Sequence, residues 1–132
     1  MLRDILAGIA GVAIAALIVF LAQELNLMLY PLPQGLDSND AAALRSHIAT
    51  LPLGAFLMLM GGWVVATFVG AVVASRIGTA KAWIYPVVVG GFMLSATIAN
   101  LIAIPHPHWF SAVALLAIAA SAWLAYLVAS RA

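Results

Sequence analysis

The amino-acid sequence predicts an all-α integral membrane protein, a bundle of four transmembrane helices with a short interfacial helix between the first two. The first observation is composition, because 67% of the 132 residues are hydrophobic and 7% are charged, whereas soluble domains carry about 25% charged residues. The second is the length of the apolar stretches, since four of them reach the roughly 20 residues that a membrane-spanning helix needs. A chain of this size predicts one domain, residues 1–132.

Each of the four apolar stretches is predicted to be a helix. Lipid supplies no hydrogen-bond partner for backbone groups, so a spanning segment must satisfy them internally. Strands are disfavoured because apolar and polar residues do not alternate along any stretch. The predicted helices cover roughly 5–29, 53–77, 83–104 and 109–130.

The connections at the two ends of the predicted bundle differ in length. The first, residues 30–52, opens with a proline-rich segment and then predicts a helix over roughly 38–50, capped by Asp37 or Ser38. This helix has an apolar side and is expected to lie along the membrane surface. The second connection is short, and the third is a Pro-His-Pro-His turn at 105–108 that ends helical geometry.

Orientation follows from the basic residues. Arg3, Arg76, Lys81 and Arg131 fall on one side of a four-span topology, and only Arg45 falls on the other. The positive-inside rule therefore predicts that both termini lie in the cytoplasm. The long first connection and the histidine-containing turn then face outward.

Several functional classes are disfavoured by what the sequence lacks. A formal net charge of +1 gives no reason to expect a nucleic-acid partner. The absence of cysteine removes thiol chemistry and cysteine-ligated metal. No nucleophile elbow, phosphate-binding glycine loop or helical His-Glu-x-x-His motif is present. We therefore expect a protein that is not an enzyme and that carries no cofactor.

Small residues at four-residue spacing predict where the helices pack closely. The clearest row lies on the second span. Its members are Gly62, Ala66, Gly70 and Ala74. Shorter or alanine-rich rows on the other spans bring the total above what four helices need for each other, so a homo-oligomer or a membrane complex is also expected besides contact with the lipid bilayer.

Two segments of the sequence resemble each other. Residues 22–33 and 96–107 both read polar-x-x-Asn-Leu-x-x-x-Pro-x-Pro, and each ends a predicted outward-going helix. One interpretation is a duplicated hairpin with parallel repeats, as in some transporters. The other is that helix ends use asparagine and proline often, and the sequence leaves both open.

A polar cluster is predicted near the outer boundary of the membrane. Glu24 lies roughly 9 Å inside that boundary at 1.5 Å per residue, and Asn100 lies at a similar depth on the third span. His106 lies above them, and the long first connection brings His47 near. An intramembrane ionisable residue indicates a functional site by default.

Three interpretations of this cluster compete. In the first, Glu24 is a structural group that accepts hydrogen bonds and fixes the helix ends. In the second, it takes up and releases a proton or cation, with its affinity tuned by burial. In the third, histidine and carboxylate hold a zinc-like ion, but a His-x-His pair in a turn does not fix ligand geometry, so no metal is expected.

Three motifs carry a resemblance to known proteins. They are Tyr-Pro-Leu-Pro-x-Gly-Leu-Asp at 30–37, Leu-Pro-Leu-Gly-Ala at 51–55 and Ala-Asn-Leu-Ile-Ala-Ile-Pro-His-Pro-His-Trp-Phe at 99–110. With them the chain resembles a group of small bacterial four-helix inner-membrane proteins of no known activity. The resemblance implies a bacterial inner membrane. Small multidrug transporters also have four helices and a glutamate in the first, but Glu24 lies near a helix end and no motif of theirs matches.

The sequence thus favours a non-enzymatic structural or complex-forming component of the membrane. The alternative is a small transporter or channel component that uses Glu24 as a proton or cation site. The two hypotheses differ in whether Glu24 is enclosed by hydrogen bonds or is accessible.

Overall fold

A computed structural model describes residues 1–131, and within them the chain forms helices and no strand. The five helices are α1 (Leu2–Leu29), α2 (Ala41–Ala49), α3 (Leu53–Ile77), α4 (Ile84–Ala103) and α5 (His108–Ser130). Four of them, all but α2, are long and apolar enough to cross a membrane. The predicted fold class is therefore confirmed. Ala132, the last residue of the predicted domain, lies outside the described residues.

The surface helix α2 begins later than the sequence suggested. Asp40, rather than Asp37 or Ser38, is its N-cap, and the Asp40 carboxylate accepts hydrogen bonds from two backbone N–H groups of the first turn. Asp37 instead closes the preceding turn by accepting a 2.9 Å hydrogen bond from the Asn39 N–H. Aspartate serves both roles because its short side chain reaches backbone groups two or three residues on.

Helix α3 is the centre of the bundle. It packs against α1, α4 and α5, while α4 also contacts α1 and α5. As far as residues 1–131 describe them, α1 and α5 do not meet. We call the end of the bundle that holds Met1, residues 78–83 and Arg131 the terminal end, and the end that holds residues 30–52 and 104–107 the loop end.

The closest helix contact joins α1 to α3. A Cβ atom on Gly70 would lie 2.6 Å from the Gly11 carbonyl oxygen, and one on Gly11 would lie 2.6 Å from the Gly70 carbonyl oxygen. Further toward the loop end, a Cβ on Gly62 would lie 2.5 Å from the Cβ of Ala22. The remaining members of the row, Ala66 and Ala74, are fully buried. The small-residue row of α3 is thus covered within the chain by α1.

The interior on the other side of α3 is filled by large side chains. Phe110 of α5 lies against Trp63 and Phe56 of α3, with ring centroids 5.6 Å and 5.5 Å apart. The Ser121 hydroxyl of α5 donates a 2.7 Å hydrogen bond to the carbonyl oxygen of Val64. These contacts close the space between α3 and α5, and they leave no room for a pore there.

The exterior of the bundle is apolar as well. Leucine, isoleucine and valine side chains on all four long helices are exposed, for example Leu17, Val65, Ile98 and Leu116. A soluble protein does not leave so many large apolar side chains in contact with water. The exposed belt therefore indicates contact with the lipid bilayer.

Candidate functional site

A hydrogen-bonded cluster fixes the terminal end of the bundle, and Asp4 is its centre. One oxygen of the Asp4 carboxylate accepts hydrogen bonds from the backbone N–H groups of Thr79 and Ala80, at 2.6 Å and 3.0 Å. The same oxygen accepts from the hydroxyls of Thr79 and Tyr85, at 3.0 Å and 2.6 Å. The other oxygen lies 3.5 Å from the amino group of Met1. This aspartate ties α1 to the α3–α4 connection and to α4.

The neighbouring Arg3 binds the adjoining end of α3. Its Nε donates a 2.6 Å hydrogen bond to the carbonyl oxygen of Ile77, the last residue of α3, where a positive charge also suits the helix dipole. Tyr85 completes the cluster, because its hydroxyl accepts a 2.8 Å hydrogen bond from the Ala80 N–H. Gly78 makes room for it, since a Cβ there would collide with the Tyr85 ring.

Sequence reasoning missed the role of Asp4. The residue precedes the predicted span of 5–29, and nothing in its immediate neighbours indicates a distant partner. The signal that could have found it is an acidic residue in the first turn of α1 together with a short connection after α3. The backbone N–H groups of that connection lie outside any helix and need acceptors. Four donors on one carboxylate oxygen indicate an ionised structural anchor rather than a group that transfers a proton.

A cavity of about 250 Å³ lies between α1, α3 and α4 toward the loop end. Near the terminal end α1 and α4 are close, with Val88 and Val89 packed beside Gly8 and Gly11. Toward the loop end, the cavity lies between the facing sides of these two helices. Its lining residues are Ala16, Val19, Phe20 and Gln23 of α1, Trp63 of α3, and Phe92, Met93, Ala96, Thr97 and Asn100 of α4.

The polar side chains of this cavity have no protein partners. The Asn100 Oδ1 atom is buried and makes no hydrogen bond within residues 1–131. The side chains of Gln23 and Thr97 likewise make none among the described residues. By contrast, Thr67 and Ser95 donate to the carbonyl oxygen four residues earlier, both at 2.8 Å, as hydroxyls in helices commonly do. The cavity thus presents three neutral polar groups in an otherwise apolar wall.

Glu24 does not join the cavity. Consecutive residues of a helix point about 100° apart, so Gln23 faces the cavity while Glu24 is exposed on the outer side of α1. Within residues 1–131 its carboxylate makes no hydrogen bond and no ion pair. The structure therefore does not bring Glu24 and Asn100 together, although the sequence predicted that they would form one cluster.

The histidines occupy a different place. His106 and His108 line a pocket of about 720 Å³ between α2 and the α4–α5 turn, together with Arg45 of α2 and Ser111 of α5. His47 is half-buried on α2 and does not line this pocket. Across residues 1–131, no three or more histidine, aspartate and glutamate side chains are grouped closely enough to hold a metal ion.

The His106 ring is partly enclosed by the protein. It stacks on Phe110, with ring centroids 5.0 Å apart and planes inclined by 18°, and its Nδ1 lies 3.0 Å from the carbonyl oxygen of Ile104. Burial lowers the pKa of His106 below its ordinary value, although the hydrogen bond to Ile104 opposes this effect. The ring is therefore neutral near neutral pH, with Nδ1–H donating to Ile104.

Comparison with known proteins assigns no role to these groups. The motif-level resemblance to small bacterial four-helix proteins stays a prediction. No protein-family model, curated protein or solved structure matches the chain, and the function must therefore be argued from the positions of Glu24, the cavity and the terminal-end cluster.

Proposed function

We propose that this protein is a non-enzymatic, complex-forming component of the bacterial inner membrane, and that α1 contacts a partner through Glu24. The observation that carries the proposal is the exposed carboxylate of Glu24, which lacks any partner within residues 1–131. It lies about 7.5 Å from the end of α1 at 1.5 Å per residue, within a helix that is long and apolar enough to cross a membrane.

A carboxylate at that depth needs a partner. Ionisable groups in membrane-spanning segments are costly, and they nearly always face the protein interior or pair with another group. Glu24 does neither within the chain, and its exposed neighbours on α1 are the apolar Leu17, Leu21, Leu25 and Met28. A second transmembrane helix that brings an arginine, lysine or hydrogen-bond donor to this face satisfies both the carboxylate and the apolar side chains.

Helix α1 is also the long helix with the most uncovered surface. In its most apolar stretch 17% of the residues are buried, against 39% in α3. The small-residue row of α3 is occupied by α1 itself, so the outer face of α1 is the surface that remains for a partner. This supports α1, rather than the row of Gly62 and Gly70, as the interface.

Two further observations support the rest of the proposal. The Ser111 hydroxyl, which shares a pocket with two histidines, bonds the Pro107 carbonyl oxygen rather than an imidazole, which supports a non-enzymatic role because a nucleophilic serine needs an adjacent base. Arg3 and Arg76 lie at the terminal end, which supports a cytoplasmic position for both termini by the positive-inside rule.

The second candidate function is a small transporter or channel component in which Glu24 exchanges a proton or cation. One observation favours it, namely that Gln23, the next residue along the chain, opens onto a cavity. Against it, Trp63 and Phe110 fill the centre of the bundle. A path across the membrane would then have to run between copies or partners.

The two candidates are separated by one pair of measurements on the full chain. Assembly size in native membranes is measured by blue-native electrophoresis after mild solubilisation, for wild type, Glu24→Leu and a control, Leu116→Gln, which changes polarity on the exposed face of α5. We expect an assembly larger than one chain that Glu24→Leu abolishes and Leu116→Gln preserves.

Proton and cation flux is measured in parallel in liposomes with wild type and Glu24→Gln. Flux that disappears in Glu24→Gln, together with an assembly that Glu24→Leu leaves intact, would establish the second candidate instead. A single chain without flux would refute both.

A further inference from the structure

We infer that the cavity between α1, α3 and α4 is a binding site for an uncharged amphiphile, a molecule with a hydroxyl or carbonyl group and an alkyl chain, which enters from the bilayer between α1 and α4. This inference concerns the inner face of α1 and stands apart from the partner proposed for Glu24. It rests on three observations, namely the unsatisfied polar groups, the absence of charge in the wall and the size of the cavity.

The unsatisfied groups point to a ligand with hydrogen-bonding capacity. A buried polar atom without a partner costs about 1–3 kcal/mol, and such atoms are rare in native proteins. Here the Asn100 Oδ1 is such an atom, and Asn100 is a residue of the cavity wall together with Gln23 and Thr97. Amide and hydroxyl groups both donate and accept, so together they can bind a hydroxyl or a carbonyl group.

The wall determines the charge of the ligand. No aspartate, glutamate, lysine, arginine or histidine is among the residues that line the cavity. A phosphate or ammonium group in this position would be desolvated without an ion partner, which is strongly unfavourable. An uncharged polar group therefore fits, and the headgroup of an ordinary phospholipid does not.

The arrangement along the helices gives the ligand a direction. Thr97 lies about 9 Å from the loop end of α4 and Asn100 lies closer still, at 1.5 Å per residue. The rest of the wall is apolar and includes the rings of Phe20, Phe92 and Trp63. The polar group of an amphiphile would therefore lie toward the loop end, with its alkyl chain against these rings.

The size indicates how much of the ligand is enclosed. A volume of about 250 Å³ is slightly below the roughly 300–1,000 Å³ of pockets that enclose whole drug-sized ligands. The cavity thus accommodates the polar group and the first part of a chain, and the remainder of the chain stays in the surrounding lipid. A molecule already dissolved in the bilayer meets this requirement.

The test uses Trp63 as the reporter, because its side chain is 3% exposed and lines the cavity. The other three tryptophans, Trp83, Trp109 and Trp123, are 52%, 46% and 60% exposed and are replaced by phenylalanine without emptying the core. This single-tryptophan protein is placed in phosphatidylcholine vesicles. Its fluorescence is then quenched with dibromododecanol or with dibromododecane, which has the same length and no hydroxyl.

We expect saturable quenching by the alcohol and weak, non-saturable quenching by the alkane. Asn100→Leu should weaken binding of the alcohol about fivefold, the effect of losing one hydrogen bond, and Thr97→Val should act in the same direction. Ser95→Ala is the matched control, because Ser95 lies on α4 but its hydroxyl bonds the Gly91 carbonyl oxygen outside the cavity.

Equal quenching by alcohol and alkane would overturn the inference. So would quenching by the alcohol that is the same in wild type, Asn100→Leu and Thr97→Val. Circular dichroism and size-exclusion chromatography of each variant show whether it is folded. Thr97→Val, which keeps the shape of the side chain, carries the test if Asn100→Leu does not fold.

Discussion

The two acidic residues of α1 lie near opposite ends of the bundle and differ in their hydrogen bonding. At the terminal end, Asp4 accepts four hydrogen bonds from the α3–α4 connection and from α4. At the loop end, Glu24 is exposed, and the neighbouring Gln23 opens onto a cavity. One helix is thus fixed by a polar cluster at its beginning and presents unpaired polar groups near its other end. Groups that lack partners inside the chain are available to ligands and partners, so both sites that we propose lie toward the loop end.

The same contrast appears between two asparagines that the internal similarity aligns. Asn26 of α1 donates a 2.9 Å hydrogen bond from Nδ2 to the carbonyl oxygen of Ala55 on α3. Asn100 of α4 occupies the equivalent place in the second segment, and its Oδ1 is buried without a partner. Duplication of the hairpins stays one of two open interpretations, and the two asparagines differ in their hydrogen bonding.

The largest effect is expected where α1 and α3 touch through glycine. Gly70→Ala places a Cβ 2.6 Å from the backbone carbonyl oxygen of Gly11, which cannot move away without displacing α1. We expect the free energy of unfolding to fall by about 2–3 kcal/mol, the upper part of the range for overpacked cores. Reversible unfolding in mixed detergent micelles, followed by circular dichroism, measures it.

A matched control sharpens this prediction. Gly91 of α4 has open space where its Cβ would be, so Gly91→Ala should be neutral or slightly stabilising, because alanine favours the helix. Equal destabilisation by both substitutions would show that the contact between Gly11 and Gly70 is not what distinguishes them.

The second effect contrasts the two acidic residues directly. Asp4→Asn weakens the acceptor at the centre of the terminal cluster, so we expect a lower unfolding midpoint and faster hydrogen exchange of the Thr79 and Ala80 amides. Glu24→Gln should leave both quantities unchanged in detergent, where no partner is present. If Glu24→Gln destabilised the isolated protein as much as Asp4→Asn, the contrast between the two ends would be wrong.

Tyr85→Phe tests whether the terminal cluster acts as a unit. The Tyr85 hydroxyl donates to Asp4 and accepts from Ala80, so its removal should also lower the unfolding midpoint. Residues in one hydrogen-bond network show non-additive effects, and Asp4→Asn combined with Tyr85→Phe should cost less than the sum of the two. Strict additivity would indicate two independent contacts.

The third effect compares the aligned asparagines. Asn26→Leu removes a hydrogen bond between α1 and α3 and should destabilise the protein by about 1 kcal/mol. Asn100→Leu removes a buried polar group without a partner and should be neutral or stabilising by a similar amount. The difference in unfolding free energy between the two variants is the quantity to measure, and a destabilising Asn100→Leu would indicate a partner for Asn100.

The smallest effect concerns pH at the α4–α5 turn. Burial lowers the pKa of His106 in the folded protein below its ordinary 6.5, so on acidification the unfolded chain takes up its proton first. Stability should therefore decline as the pH falls through 6.5 and level off below the folded pKa. Unfolding midpoints are measured across this pH range. The decline caused by His106 should be absent in His106→Gln and present in His108→Gln.

Much of the fold could be predicted from the sequence. The four long helices follow from apolar length, and their bounds in the structure lie within a few residues of those predicted. Helix α2 is shorter than expected, because Asp37 and Ser38 were predicted as its cap, whereas Asp37 closes the preceding turn and Asp40 caps the helix.

The candidate site was harder to predict, because it depends on how each helix is rotated. Glu24 and Gln23 are adjacent in sequence, yet a rotation of about 100° decides which of them faces Asn100. Both faces of α1 are apolar, so its hydrophobic pattern does not fix that rotation. The rotation of α1 is fixed instead by the contact between Gly11 and Gly70. The sequence of either helix alone does not show that these two glycines meet.

The central position of α3 has a consequence for synthesis. The chain is synthesised from its N-terminus, and α3 is the first long helix to follow α1. The α1–α3 hairpin contains the glycine contact and all of its partners except Val89, so these two helices can pair before α4 is made. Helix α4 then meets both, and α5 docks on α3 and α4, which are already in place. Each new helix can therefore pack on helices that are already in the membrane, and none of them has to move apart to admit it.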